Sequence, residues 1–341
     1  MSKEASNHLR WPIIGHSNIV TYLQNSLANK NLAHAYLFVG PDHLGKATVA
    51  KLFTHALVCH NFDQHKGSLP CGECPGCRQA IQEIHPDIYW LKREINEKTG
   101  KLKKNISIEQ IRELQSKLNL RSFLNSYKVA VISDAQTLSL EAANALLKGL
   151  EEPSAKTVLI LLSNTSSRLP KTIVSRCQVI KFRPVSDKEI IDYLTSIKVE
   201  RKKAKTLTAV SFGLPGLALR YYEDHDGYLD FQETVRMFLA LINQDISSRF
   251  KFISELVSND VDETKEVLLT WRKILRDVLL IKNSVPNLIS NGLVANDLER
   301  LAARFEAGDI TAMINEIDLA KRYLDSNVGP KLTLENLVLK F

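Results

Sequence analysis

No apolar run in the sequence approaches the roughly 20 residues needed to span a bilayer. The opening stretch, MSKEASNHLRWP, lacks the apolar core of a signal peptide. Neither a membrane-embedded nor an exported protein is expected, and a cytoplasmic location is. An internal repeat and a low-complexity tract are also lacking, which sets aside solenoid arrays and disordered tails. Cysteines are few and unevenly placed. Of the five, Cys59, Cys71, Cys74 and Cys77 crowd into one short segment, and Cys177 stands far from them. In a reducing cytoplasm that clustering points to a metal rather than to disulfides.

What is present describes an ordinary globular chain. At 341 residues it exceeds what one hydrophobic core usually serves, so two or three domains are expected. The apolar share of 44% and charged share of 24% are those of a soluble globular protein. The net charge of +7 permits weak attraction to nucleic acid or to an acidic partner without requiring either.

Along the chain, Ala35–Val39 reads as a short buried strand that runs into Gly40-Pro41, and Ala47–Leu57 carries apolar residues at helical spacing. Ser107 and Gln110 have the form of a capping box, for a helix reaching about Asn119. Lys128–Ile132 and Thr157–Leu162 read as further strands, Val179–Phe182 as a fourth, and Leu140–Glu151 as a helix that Pro153 ends. Alternating strands and helices imply an α/β domain with a largely parallel sheet. After Pro184 helical periodicity takes over, at 187–196, 204–211, 228–243, 247–257, 261–281, 296–307 and 310–327.

Four constellations carry possible chemistry. Gly40-x4-Gly45-Lys46 has the spacing of a P-loop, in which backbone N–H groups cradle phosphates and the lysine reaches the terminal ones. The hydroxyl that would ligate Mg²⁺ is absent, because Ala47 stands in its place. Thr48 comes one residue late, about 100° further around the helix. A chance turn with this spacing is the alternative. Second, the apolar strand Val129–Ile132 leads into Ser133-Asp134, where P-loop ATPases place Asp-Glu. Ser133 then replaces the metal-supporting acid and Asp134 shortens the water-polarising one, or Asp134 simply caps the next helix.

Third, Cys59-x11-Cys71-x2-Cys74-x2-Cys77 lies in a turn-rich stretch with Pro70, Gly72, Pro75 and Gly76. Four thiolates so spaced fit a closed structural Zn²⁺ site. The alternative is four free thiols packed as small hydrophobes. His60 and His65 lie nearby and read as surface residues. Fourth, Ser175-Arg176-Cys177 holds an arginine that by itself would be an ordinary surface charge. A basic stretch of Lys92, Arg93, Lys98, Lys101, Lys103 and Lys104 is either a solvated loop or a DNA-contacting segment, to be told apart by salt-dependent binding.

Taken together these segments resemble the bacterial clamp-loader AAA+ family. The resemblance rests on Ile14-Gly15-His16, His34–Phe38, the inserted cysteine quartet, Glu141–Lys148 with Leu150–Pro153, and Leu169–Cys177. It is dense over about residues 12–185 and thin beyond. It implies an α/β plus all-α chain: an AAA+ P-loop domain with a parallel αβα sheet over 1–183, with a zinc knuckle inserted at 59–77. A small helical lid over 184–226 and a helical collar over 227–341 would follow, the collar joining five subunits in a ring. The implied partners are the gamma/tau and delta clamp-loader subunits, with the sliding clamp and primer-template DNA met through the complex. No membrane is implied.

By the same resemblance Arg176 is an arginine finger acting in trans on a neighbour's ATP, and Asn164 lies near the family's nucleotide sensor. Gly216 falls where a lid sensor arginine is expected, with Arg220 four residues on. The family's motor subunits are alike in an intact P-loop hydroxyl, an Asp-Glu pair and that sensor arginine, and this sequence departs at all three. The expectation is therefore a non-hydrolysing stator whose pocket around Gly40, Gly45, Lys46 and Asn164 is vestigial, with ATP and Mg²⁺ not turned over. The chain's ending soon after the collar, without a tau-like extension, points the same way. The alternative is a motor subunit in which Thr48 or water replaces the missing ligand.

Overall fold

The computed structural model describes residues 11–62, 69–97, 100, 102–122, 126–256, 261–285, 294–326 and 328–341. The amino-terminal stretch through Arg10, His65, Lys98, Lys101 and the expected helix ends at Val257 and Asn327 lie outside the described residues.

The described residues up to Tyr193, with Gly213–Gly216, form one compact unit. Its elements are α1 (Ser17–Ala28), β1 (Ala35–Val39), α2 (Lys46–Leu57), α3 (Pro75–Ile81), β2 (Ile88–Leu91), α4 (Ile108–Asn119), β3 (Lys128–Ile132), α5 (Leu140–Glu151), β4 (Thr157–Ser163), α6 (Lys171–Val174) and β5 (Gln178–Lys181). The strands form one parallel sheet in the order β2-β3-β4-β1-β5. This is the parallel αβα sheet that the family resemblance implied. Central strands buried on both faces must be apolar throughout, and Val129, Ala130, Val131 and Ile132 are wholly buried.

The period of two along β1 sorts its side chains between two helical layers. Ala35 and Leu37 join Ile111 and Leu114 of α4 and Ala142 and Leu146 of α5 in one apolar cluster. Tyr36 and Phe38 point the other way. The Tyr36 ring stands 5.2 Å from Phe53 of α2, and Phe38 stands 5.4 Å from Phe182. Helix starts are chemically marked. Ser107 and Gln110 close the expected capping box on α4, and the Ser139 hydroxyl accepts the Ala142 N–H at 3.1 Å to begin α5.

A second unit comprises 194–212 and the described residues from Leu217 onward. Three helices follow β5: α7 (Asp187–Ser196), α8 (Arg201–Ser211) and α9 (Pro215–Glu223). Beyond them come α10 (His225–Ile242), α11 (Ile246–Leu256), α12 (Val261–Lys282), α13 (Ala295–Arg304), α14 (Ala307–Asp325) and α15 (Pro330–Val338). In the second unit Phe238, Trp271 and Phe341 pack with ring centroids 5.3–6.2 Å apart. The buried Arg249 guanidinium donates to the carbonyls of Gln244, Val338 and Ile242 at 3.0, 3.1 and 3.2 Å. It thereby satisfies groups that helix ends leave unpaired. Among the described residues no helix is long and apolar enough to cross a membrane.

Several elements have no counterpart in the sequence expectations. β2 is a four-residue edge strand, Ile-Tyr-Trp-Leu, half-buried at every position and so without alternation. Helices α3 and α6 have seven and four residues, too few to show a helical period. Helices α9 and α15 each begin at a proline, which suits a first helical turn but reads in sequence as a break. In α1 polar residues interrupt the apolar spacing.

Candidate functional site

Parallel strands all point one way, so the loops at their carboxyl ends converge where open α/β sheets bind ligands. Here the loop after β1 holds Gly40–Gly45, the loop after β3 holds Ser133 and Asp134, and Asn164 follows β4. A crevice of about 370 Å³ is lined by Asp42, His43, Gly45, Ser133, Asp134 and Asn164 from these segments, with Lys46, Ala47, Thr48, Leu162, Ser163 and Gly216; the expected Gly40 is not among its lining residues.

Gly45 caps α2 at φ +86°, a backbone angle that suits glycine, and no side chain caps this helix start. Free N–H groups at such a start suit an anion. Lys46, however, is buried and turned back on its own loop. Its ammonium donates to the Gly40 carbonyl, to Pro41 O at 2.7 Å and to Asp42 Oδ1 at 3.4 Å. Burial pushes its pKa down, while Asp42 pulls the other way. Ala47 presents a methyl group at the metal-ligand position. Thr48 also lines the crevice, although it comes one residue late.

The loop is fastened from a second side. The Gly216 N–H donates to His43 O at 2.8 Å. A Cβ on residue 216 would stand 2.9 Å from that oxygen and 3.2 Å from the His43 Cα. The position expected to hold a sensor arginine is thus one where the backbone itself lies against the P-loop.

Asp134 sits at the start of the 3₁₀ turn Ala135–Thr137 with φ +52°, and its side chain makes no capping hydrogen bond. The helix-capping reading is therefore not what the side chain does, and Asp134 lines the crevice. Two residues that sequence reasoning did not assign to the site stand beside it. Gln136 donates from Nε2 to Asp134 Oδ1 at 3.4 Å, and its Oε1 accepts from Ser163 Oγ at 2.9 Å and from the Asn164 N–H at 3.2 Å. Arg93 places Nε 3.9 Å from Asp134 Oδ2. Parallel register pairs Leu91 with Ile132, so two residues further on Arg93 faces Asp134. That pairing was the available signal, and it needed β2 to be recognised. Of the rest of the basic stretch, Lys103 pairs with Glu94 at 2.7 Å.

Arg176 follows α6 and is not among the crevice residues. Its Nη2 lies 2.8 Å from Glu151 Oε1, and its Nη1 donates to Thr172 O at 3.0 Å. Cys177, beside it, is a thiol that burial pushes up to about 12 and so keeps protonated.

The structure brings Cys59, Cys71, Cys74 and Cys77 together with all four Sγ atoms within 4.8 Å of one another. Cys71–Cys77 and Cys74–Cys59 separations are 3.8 and 4.0 Å. A tetrahedron with Zn–S bonds of about 2.3 Å has S···S edges of about 3.8 Å, so the set fits. Backbone N–H groups of Cys74 and Cys77 point at the sulfurs of Cys71 and Cys74, at 3.4 and 3.3 Å, as thiolate ligands require. The hydrogen bond from Cys77 pulls the Cys59 thiol down, and the same contact pushes Cys77 up. His60 is exposed, as expected.

A glycine-bounded loop and helix start at the carboxyl edge of a five-stranded parallel sheet define a P-loop-type α/β domain. Residues 15–186 match the family model described as DNA polymerase III, delta subunit, and residues 231–341 match DNA polymerase III, delta subunit, C terminal. The chain belongs to this DNA polymerase III subunit family. It is 28% identical to DNA polymerase III subunit delta' of Bacillus subtilis strain 168, over 94% of each chain. It is 25% identical to subunit tau of the same organism, over 96% of this chain and 60% of that one. To subunit delta' of Pseudomonas aeruginosa it is 39% identical over 42% of each chain.

Proposed function

We propose that this chain is a delta'-type subunit of a clamp loader, a stator that supports DNA replication without hydrolysing ATP itself. Its relatives include both delta' and tau, so the choice between stator and motor falls to the site residues. The observation that carries the stator reading is the crevice itself. Ala47 and Ser133 offer no pair of metal ligands, Lys46 is bonded to its own loop, and Gly216 brings backbone rather than a guanidinium to the phosphate loop. Without the ion or those cations, little neutralises charge on a transferring phosphoryl group. The pocket around Gly40, Gly45, Lys46 and Asn164 is then a remnant.

Arg176 acts elsewhere, as a finger that completes the ATP site of a neighbouring gamma or tau subunit in the ring. The chain would also contact delta, and through the assembly serve the sliding clamp and primer-template DNA. Residues 184–226 serve as a lid and 227–341 as the oligomerising collar. Zn²⁺ held by Cys59, Cys71, Cys74 and Cys77 is structural, because four thiolates leave no open coordination position.

Mixing the chain with a motor subunit tests the finger. Arg176→Ala should lower ATPase of the assembled complex severalfold or more while leaving the isolated chain folded. Unchanged activity in that mixture would remove the assignment. One observation favours a second reading: Thr48 lines the crevice, and its hydroxyl standing in for the one Ala47 lacks would suit a motor with a displaced ligand.

A further inference from the structure

We propose that Glu151 is a positioning residue for Arg176, holding the guanidinium in the orientation from which it meets the neighbour's nucleotide. This rests on the trans-acting role of Arg176 proposed above.

An arginine side chain has many rotamers, and a finger that must find a phosphate each cycle works better if that freedom is already spent. Arg176 is exposed enough to sample many rotamers, with 37% of its side chain accessible. It is nevertheless gripped from two separate elements. Glu151, the last residue of α5, takes Nη2 at 2.8 Å. Thr172, in α6, takes Nη1 through its carbonyl at 3.0 Å. Each terminal nitrogen carries two N–H bonds, and these contacts use one on each. The plane of the fork is thereby set, and the second N–H on each nitrogen remains for an incoming oxygen.

The brace is itself anchored. Glu152 closes α5 by donating its N–H to Lys148 O at 3.0 Å, and Pro153 prevents the helix from continuing. The Glu151 carboxylate therefore projects from a defined helix end rather than from a loop. Half of its side chain is accessible. A screened surface pair of this kind is weak, so it aims the guanidinium without competing strongly with a phosphate dianion. Helix termination alone would explain why Glu151 is where it is, but would not require a carboxylate there.

The experiment uses the complete loader assembled with motor and delta subunits, assayed for ATPase with clamp and primer-template. It compares the native chain, Glu151→Gln, Arg176→Ala and the double variant, each first checked for its thermal midpoint. Glu151→Gln should lower kcat about two- to fivefold with KM for ATP unchanged. In the Arg176→Ala background the same change should have no further effect, because the two residues act as a unit. An equal loss in both backgrounds would overturn the inference, since Glu151 would then act on folding or assembly. A native rate for Glu151→Gln beside a slow Arg176→Ala would overturn it while leaving the finger in place. A native rate for Arg176→Ala would remove the finger reading, and the inference with it.

Discussion

Gly216 lies so close to the P-loop that it has room for no side chain. Its N–H holds His43 O at 2.8 Å, and a Cβ would press against the same carbonyl. Installing an arginine there therefore cannot recreate a nucleotide sensor without displacing the loop. Gly216→Arg should cost about 1–3 kcal/mol in denaturant unfolding and should not raise ATP affinity. Tighter binding of Mg-ATP by that variant would show the loop to be more yielding than its contacts imply. Burial makes a second prediction at this scale. Loss of solvation first, then the nearby Lys51 charge, lowers His55 from 6.5 to about 4. The unfolded chain then takes up that proton before the folded one. The stabilising contribution is thus fully present above pH 6.5 and is lost as pH falls through about 4. His55→Gln should flatten part of the loss of stability over that window, measured as the urea midpoint against pH. Only part should go, because burial lowers His16 and His85 as well. An unchanged slope would mean that His55 is solvated in the folded chain.

Among the elements, the cysteine knuckle is the one for which a bound metal makes a prediction. It is short and rich in turns, and α3 has only seven residues. Purified chain should retain about one Zn²⁺ per molecule through gel filtration, and Cys74→Ser should lose it and melt at lower temperature. Metal content by mass spectrometry checks the first outcome and calorimetry the second. Full stability after complete chelation would reduce the quartet to packed thiols. This cluster, the central strands and the long helices were legible in the sequence, because each has a local signature: ligand spacing, an unbroken apolar run, or a repeat of 3.6. What escaped was non-local or too short. β2 has four residues and no alternation, and with it went the register that sets Arg93 against Asp134. Gln136 lies in no motif, and Glu151, although inside the Leu150–Pro153 stretch, had no role assigned to it by that stretch. They matter because loops from different strands and helices converge on Asp134, Ser163, Asn164 and Arg176. By contrast Ala47, Ser133 and Gly216 were recognisable as departures, since a resemblance to a family states which residue a position should hold.

At the scale of the whole molecule, an α/β unit with an altered phosphate crevice is followed by a helical unit with its own core around Phe238 and Trp271. The match to tau over 96% of this chain as well as to delta' means that the fold alone does not distinguish a motor from a stator. The proposed distinction lies in a few side chains around one crevice. The most direct test of that claim is ATP binding and hydrolysis by the purified chain alone, with and without Mg²⁺. A stator should show no turnover above the zinc-matched buffer blank and no gain in ATP affinity on adding Mg²⁺. Mg²⁺-dependent binding followed by steady hydrolysis would contradict the account, because Thr48 or water would then be doing the work assigned to the missing ligand.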